Sequence, residues 1–238
     1  MSKKIEFVDS WEHTPIEYYP TPAIKDLPTW YKNTESYING AKNVDRRTSP
    51  NKTNGTIKKC KPVWDALTSG YLLKLPADVN VRLNEDGSHF FEWARGELVH
   101  FHPVTQAPQY PGQEGRKNPY PKFNHPWIIK TPPGYSTLFA PPAHREAPFR
   151  ILEGVVDTDS YPEVVLLPFV FNKPDFEGLI PAGTPIAQVT PLKRESWVMN
   201  ARPQNEKDRL ERLRGEAKLG SLFNDSYKTF FWSRKEYK

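Results

Sequence analysis

Prolines punctuate this chain from residue 15 to residue 203, 25 of them against 13 glycines in 238 residues. Each proline fixes its own φ, removes a backbone donor and pushes the residue before it toward extended geometry, which disfavours a helical bundle over most of the length. With aromatics at 13% of the chain, that spacing suits short strands joined by stiffened, ordered loops. A chain of this size can enclose one substantial core, so the expectation is one main β domain with appendages.

Strand patterning begins after residue 57. In "GYLLKLPADVNVRLNEDGSHFFEWARGELVHFHP", Val79, Val81 and Leu83 alternate with polar residues, Asn84 to Gly87 form a turn, and a second and third strand follow, with a turn through Arg95 and Gly96 between them. This reads as a β-meander. In its third strand Leu98, His100 and His102 share one face and Val99 and Phe101 the other. "PWIIKTPPGYSTLFAPPAH" reads as strand, Pro-Pro-Gly turn, strand; further strands are expected near 150–156, 163–171 and 185–191. Residues 106–125 form a long loop of the kind that binds or joins partners.

The flanks differ in character. Residues 1–56 hold Pro15, Pro20, Pro22 and Pro28 among Tyr18, Tyr19, Trp30 and Tyr31, an extended arm whose aromatics need another surface to cover them. Residues 46–56 are a polar loop. Residues 57–195 are the core domain, and 196–238 a helical extension in which Asn205 caps a helix, Leu210, Leu213 and Ala217 share its face, and Gly220 ends it. A second short helix follows, with Tyr227, Phe230 and Phe231 on one side.

The net charge is +5, with the excess toward the two ends and no long basic run, so a nucleic-acid partner is not indicated. Cys60, the single cysteine, can form neither an intramolecular disulfide nor a Cys-based zinc site, which fits a reducing cytoplasm. Placed between Lys59 and Lys61 with no assignable His partner, it reads as an ordinary thiol. With no run of about 18 apolar residues and no apolar segment at the start, the chain is read as soluble, unsecreted and without a membrane partner.

Two constellations could carry chemistry. Asp157 and Asp159 in "EGVVDTDSYPEVVLLPFVFN" sit two apart at a strand end, where Asp favours a turn and where two close carboxylates could also hold a divalent cation. His100 and His102 have the spacing of a two-histidine metal arm, with Gln106 after them at a cupin-like interval; Thr137 stands where a cupin's next histidine would be. That pair keeps a cupin-like jelly roll as the alternative fold, although hydrogen-bonded strand histidines are the simpler reading.

Taken in order, "TPPGYSTLFAPPAHR", "EGVVDTDSYPEVVLLPFVFN" and "FEGLIPAGTPIAQVTP" resemble three successive motifs of the dUTPase and dCTP-deaminase superfamily. The resemblance implies a β-clip barrel, with the arm and the helices as additions. In that family the first aspartate of the turn activates water, a role that would fall to Asp157. Asp159 and Tyr161 would lie near the sugar, although Ser160 inserts a residue between them. Gln188 is the glutamine of the last motif. "PPAHREA" lacks the family's Arg-Ser-Gly phosphate donors, leaving His144 and Arg145 to meet a triphosphate. The Gly-rich closing segment is also absent from the tail.

Nearly the whole chain, through "LPTWYK", "KKCKPVWDALTSGYLL", "PWIIKTPPGYSTLF", "VVDTDSY" and "IPAGTPIAQVTPLKRE", resembles a family found in tailed bacteriophages, marine cyanophages among them, and more distantly in bacteria. That resemblance brings no established activity. It implies a phage protein in the host cytoplasm during infection or in the virion, partnered by other virion proteins. β-clip domains of this kind commonly trimerise, so a homo-oligomer is expected, the arm or the C-terminal helices wrapping a neighbour. The leading expectation is thus a non-catalytic binding or assembly module without cofactor. The alternatives are a nucleotide diphosphohydrolase or deaminase-like enzyme using Asp157 and Mg²⁺, and a cupin-like metalloenzyme using His100 and His102.

Overall fold

Short antiparallel strands dominate, as the proline spacing requires. The computed structural model describes residues 3–42, 54–94, 96–106, 121–222 and 224–238. In chain order the strands are β1 (Glu6–Asp9), β2 (Thr21–Pro22), β3 (Tyr71–Lys74), β4 (Val79–Leu83), β5 (His89–Trp93), β6 (Val99–Phe101) and β7 (Pro121–Phe123). There follow β8 (Trp127–Lys130), β9 (Tyr135–Ala140), β10 (Phe149–Ile151), β11 (Gly154–Val156), β12 (Leu167–Phe171), β13 (Gly178–Ile180) and β14 (Pro185–Lys193). The helices of more than one turn are α1 (Thr29–Asn33), α2 (Lys61–Thr68), α3 (Glu206–Ser221) and α4 (Ser226–Phe230). Among the described residues the strands form four sheets, ordered β1-β8, β10-β12-β7-β6, β11-β9-β14-β3-β2 and β13-β4-β5.

The chain divides into two units, Met1–Lys25 with Gly70–Arg194 and Asp26–Ser69 with Glu195–Lys238. The break after Arg194 falls where the sequence changes character. The other two, after Lys25 and after Ser69, do not fall at residue 56: the arm up to Lys25 belongs to the β unit. β8 is separated from β9 by the Pro132-Pro133-Gly134 turn and does not pair with it, so its edge takes β1, with Phe7 opposite Ile129. Two of the arm's aromatics pack there, Phe7 edge-on to Tyr71 and Tyr19, still partly exposed, edge-on to Trp127, with ring centroids 5.2 and 4.7 Å apart.

In the five-stranded sheet β14 lies between β9 and β3, and its segment from Ile186 to Val189 is buried throughout, as a strand with a neighbour on each side demands. Pairing with β3 ends at Val189, so Pro191 falls where one edge has no neighbour and a missing donor costs little. Gly70 has φ +69°, and a Cβ there would sit 2.0 Å from the Val189 carbonyl oxygen, so no other residue fits before β3.

The β4–β5 hairpin follows the expected alternation, Val79, Val81 and Phe91 inward, with Gly87 at φ +78° in the turn. The third strand of the expected meander goes elsewhere: β6 pairs with β7, not β5. Leu98 and Val99 are buried in succession while Phe101 is half exposed, so the chain enters the core here instead of running back along the hairpin. The Arg95 part of that turn, residues 107–120 of the long loop and residues 46–53 of the polar loop lie outside the described residues. The core centres on Phe123, Phe149, Phe169 and Phe171, Phe123 and Phe169 stacking face to face with centroids 3.9 Å apart.

In the second unit, α3 carries the expected capping box, Asn205 Oδ1 accepting from the Asp208 N–H and Asp208 Oδ2 from the Asn205 N–H. Gly220 lies inside this helix, which ends at Ser221, and none of its residues is buried. α2 and the tail are tied by Asp65, which accepts from Trp232 Nε1 at 3.0 Å and from Lys235 Nζ at 2.6 Å. No described helix is long and apolar enough to cross a membrane.

Candidate functional site

The turn after β11 carries the two aspartates, and the residue between them explains their placement. Thr158 points inward and its hydroxyl lies 2.8 Å from those of both Thr131 and Thr137, all three residues being buried. Thr137 is therefore part of a hydroxyl network that holds the turn. Asp157 and Asp159 are left on the outer side, and the Asp157 carbonyl closes the turn by accepting the Ser160 and Tyr161 N–H groups.

Arg194, at the end of β14, joins the two carboxylates. Its guanidinium grips both oxygens of Asp159, with Nη1 at 2.9 Å from Oδ1, and lies 3.3 Å from Asp157 Oδ1. Ser136 Oγ donates to Asp157 Oδ1 at 2.6 Å, and the Gly134 N–H donates to Asp159 Oδ2 at 2.8 Å. The arginine's own N–H bonds back to the Gly134 carbonyl, so the β8–β9 turn, the aspartate turn and the end of β14 form one network. Bidentate pairing with Arg194, helped by the Gly134 N–H, holds the Asp159 carboxyl down at about 2. The Asp159 side chain is 9% exposed and that of Asp157 63%, so Asp157 is the carboxylate a ligand could reach.

The other residues expected at this site lie elsewhere, apart from Tyr161, which is half exposed just after the turn. Gln188 is buried opposite Ala140, and its Oε1 accepts from the Ala143 N–H at 2.9 Å, shaping the loop that carries His144 and Arg145. His144 takes a left-handed conformation, φ +52°, at the tip of that loop. Ser136, the contact of Asp157, and Ala140, the neighbour of Gln188, stand at opposite ends of β9, roughly 14 Å apart at strand rise. Within one chain the aspartates and the phosphate-motif remnant thus form two separate places.

The histidine pair does not gather a metal's ligands either: among the described residues no group of three His, Cys, Asp or Glu is arranged to hold a metal ion. His100 Nε2 lies 3.3 Å from the Asn124 amide nitrogen and 3.4 Å from Glu97 Oε2. His102 lies beyond the end of β6; burial and then the nearby Lys122 charge lower its pKa, against a hydrogen bond with Gln106. Glu97 and Asn124 line a cavity of about 580 Å³, walled by Trp11, His13 and Pro76. Two of its lining residues are held by Asp9, which accepts from the Trp11 and Thr14 N–H groups and the Thr14 hydroxyl.

Sequence reasoning overlooked Arg194, Ser136 and this cavity. Arg194 lay in the quoted "TPLKRE", and two successive cations, Lys193 and Arg194, closing an apolar strand were the available signal; the cavity has none, being made from distant segments. No protein-family model matches this chain, and no curated protein matches it.

Proposed function

We propose that this is a non-catalytic binding and assembly module on a β-clip-like core, a tailed-phage protein that forms a homo-oligomer, a trimer by the family resemblance, and works in the infected host's cytoplasm or in the virion beside other virion proteins. One observation carries the assembly reading. Directly after β14 the chain leaves regular secondary structure, and Trp197, Val198 and Met199 are 87, 95 and 90% exposed. Three consecutive large apolar side chains left in water favour association, since burying each would contribute on the order of 1.5–3 kcal/mol. The non-catalytic part is supported by Asp159 being tied to Arg194.

Light scattering on the purified chain tests this. The parent is expected to be an oligomer and the Trp197→Ser/Val198→Ser/Met199→Ser variant a monomer with an unchanged circular-dichroism spectrum. A monomeric parent would overturn the reading. The exposed Asp157 carboxylate beside Ser136 favours a second reading, a deoxynucleotide hydrolase needing Mg²⁺. That reading requires turnover of a deoxynucleoside triphosphate that disappears in Asp157→Asn.

A further inference from the structure

Charge is segregated between the two units. Residues 26–69 and 195–238 hold 18 lysines and arginines against 11 aspartates and glutamates, while the remainder holds 15 against 17. No single stretch is strongly basic; folding assembles the excess from α2, the segment before it and the tail. Lys58, Lys59 and Lys61 enter α2, and Lys228 and Lys235 come from the far end of the chain.

These cations are interleaved with rings. Lys61 Nζ stands over Trp232 at 4.7 Å and over Trp64 at 5.4 Å from the ring centroids, and Lys59 Nζ over Tyr37 at 5.1 Å. The rings continue as a row, Trp64 to Tyr31 at 6.0 Å and Tyr31 to Trp30 at 5.5 Å, with Trp30 41% exposed at its end. The two carboxylates in the cluster are already engaged, Asp225 with Lys59 at 3.0 Å and Asp65 with Lys235 and Trp232. Among the described residues Lys61 stacks on its two indoles without such a carboxylate. Burial first, and then the Lys228 and Lys59 charges, lower its pKa against the opposing pull of Asp225 and Asp65. An anion placed there would relieve both neighbours.

We propose that this face of the second unit binds single-stranded nucleic acid, its phosphates meeting Lys61 and Lys228 and its bases stacking on the exposed Trp30 and on the partly exposed Trp64 and Trp232. Alternating cations and partly exposed rings suit a single strand, whose bases are free to stack, better than a duplex, whose bases are not. The inference is independent of the assembly reading.

Fluorescence anisotropy with the full chain and a labelled oligothymidylate of about 20 nucleotides tests it, with a duplex of equal length as comparison. Binding to the single strand is expected to be tighter, to quench tryptophan fluorescence and to weaken as salt rises. Lys61→Gln/Lys228→Gln removes two phosphate contacts and is expected to weaken binding about 25-fold near 0.1 M salt and to flatten the salt slope. Trp30→Ala is expected to lower affinity about tenfold without changing that slope. Lys173→Gln, on an exposed residue of the other unit, serves as control and is expected to change nothing. Absence of binding, equal affinity for the duplex, or an unchanged affinity in both the Lys61/Lys228 and the Trp30 variants, with folding verified by circular dichroism, would overturn the proposal.

Discussion

The two units are stabilised by different means. Among the described residues, every buried large apolar side chain but two belongs to the β unit; Tyr31 and Leu67 alone represent the other. The β unit buries a phenylalanine cluster. The second unit instead has a self-capped helix with no buried residue, lysines on indoles and a doubly engaged Asp65. Burial is non-directional and strong in total, whereas exposed ion pairs and caps contribute little each. A unit of the second kind keeps its apolar and cationic surface available to partners, and that availability underlies both functional readings above.

The largest test of this contrast lies in the core. Phe169 is fully buried, stacked on Phe123 and edge-on to Phe149 and Phe171, so Phe169→Ala is expected to cost about 3–5 kcal/mol in urea unfolding. Leu213→Ala on α3 is expected to change stability by less than about 0.5 kcal/mol. Comparable losses would erase the distinction between the units.

A smaller effect distinguishes the core from the surface by pH. His125 is fully buried, its Nδ1 accepting the Trp127 N–H at 3.2 Å, and burial pushes its pKa down to about 4 against the Val165 carbonyl's opposite pull. Because the unfolded ring takes up its proton near 6.5, this residue's contribution is complete above that pH and is lost as pH falls toward 4, by roughly 3 kcal/mol. His125→Phe should flatten unfolding free energy across that window; an unaltered slope would show that the ring is not the source.

The smallest effect belongs to the aspartate turn. Its stabilisation by the Asp159–Arg194 pair is present above the ordinary carboxylate value near 4 and is lost as pH falls through about 2. Arg194→Met should therefore make the decline in Tm between pH 4 and 2 shallower while leaving the His125 window untouched. Thermal melts of the parent and variant across both windows separate the two.

Much of the fold was legible from local pattern. The Val79–Val81 alternation, the Gly87 turn, the apolar β14 run and the Asn205 cap all rest on period, turn chemistry or capping within a few residues, and each appears where expected. The aspartate turn was legible as well, but not what holds it. The sequence suggested only that Asp favours a turn there, whereas the Asp159 side chain accepts the Gly134 N–H, 25 residues away, and pairs with Arg194.

By itself, then, the order of residues determined that this chain would be mainly β, with short strands between prolines and a helical tail. Backbone geometry and side-chain period act over neighbouring residues and need no partner to be read. Only tertiary structure decided which strands meet: that β1 completes the edge of β8, that β6 leaves the hairpin for β7, and that Gln188 stands a strand's length from Asp157. It also gathered Lys61 and Lys228, and Trp232 with Asp65, from opposite ends of the sequence. Pairing and charge clustering depend on distance in space, and spacing along the chain carries no record of it.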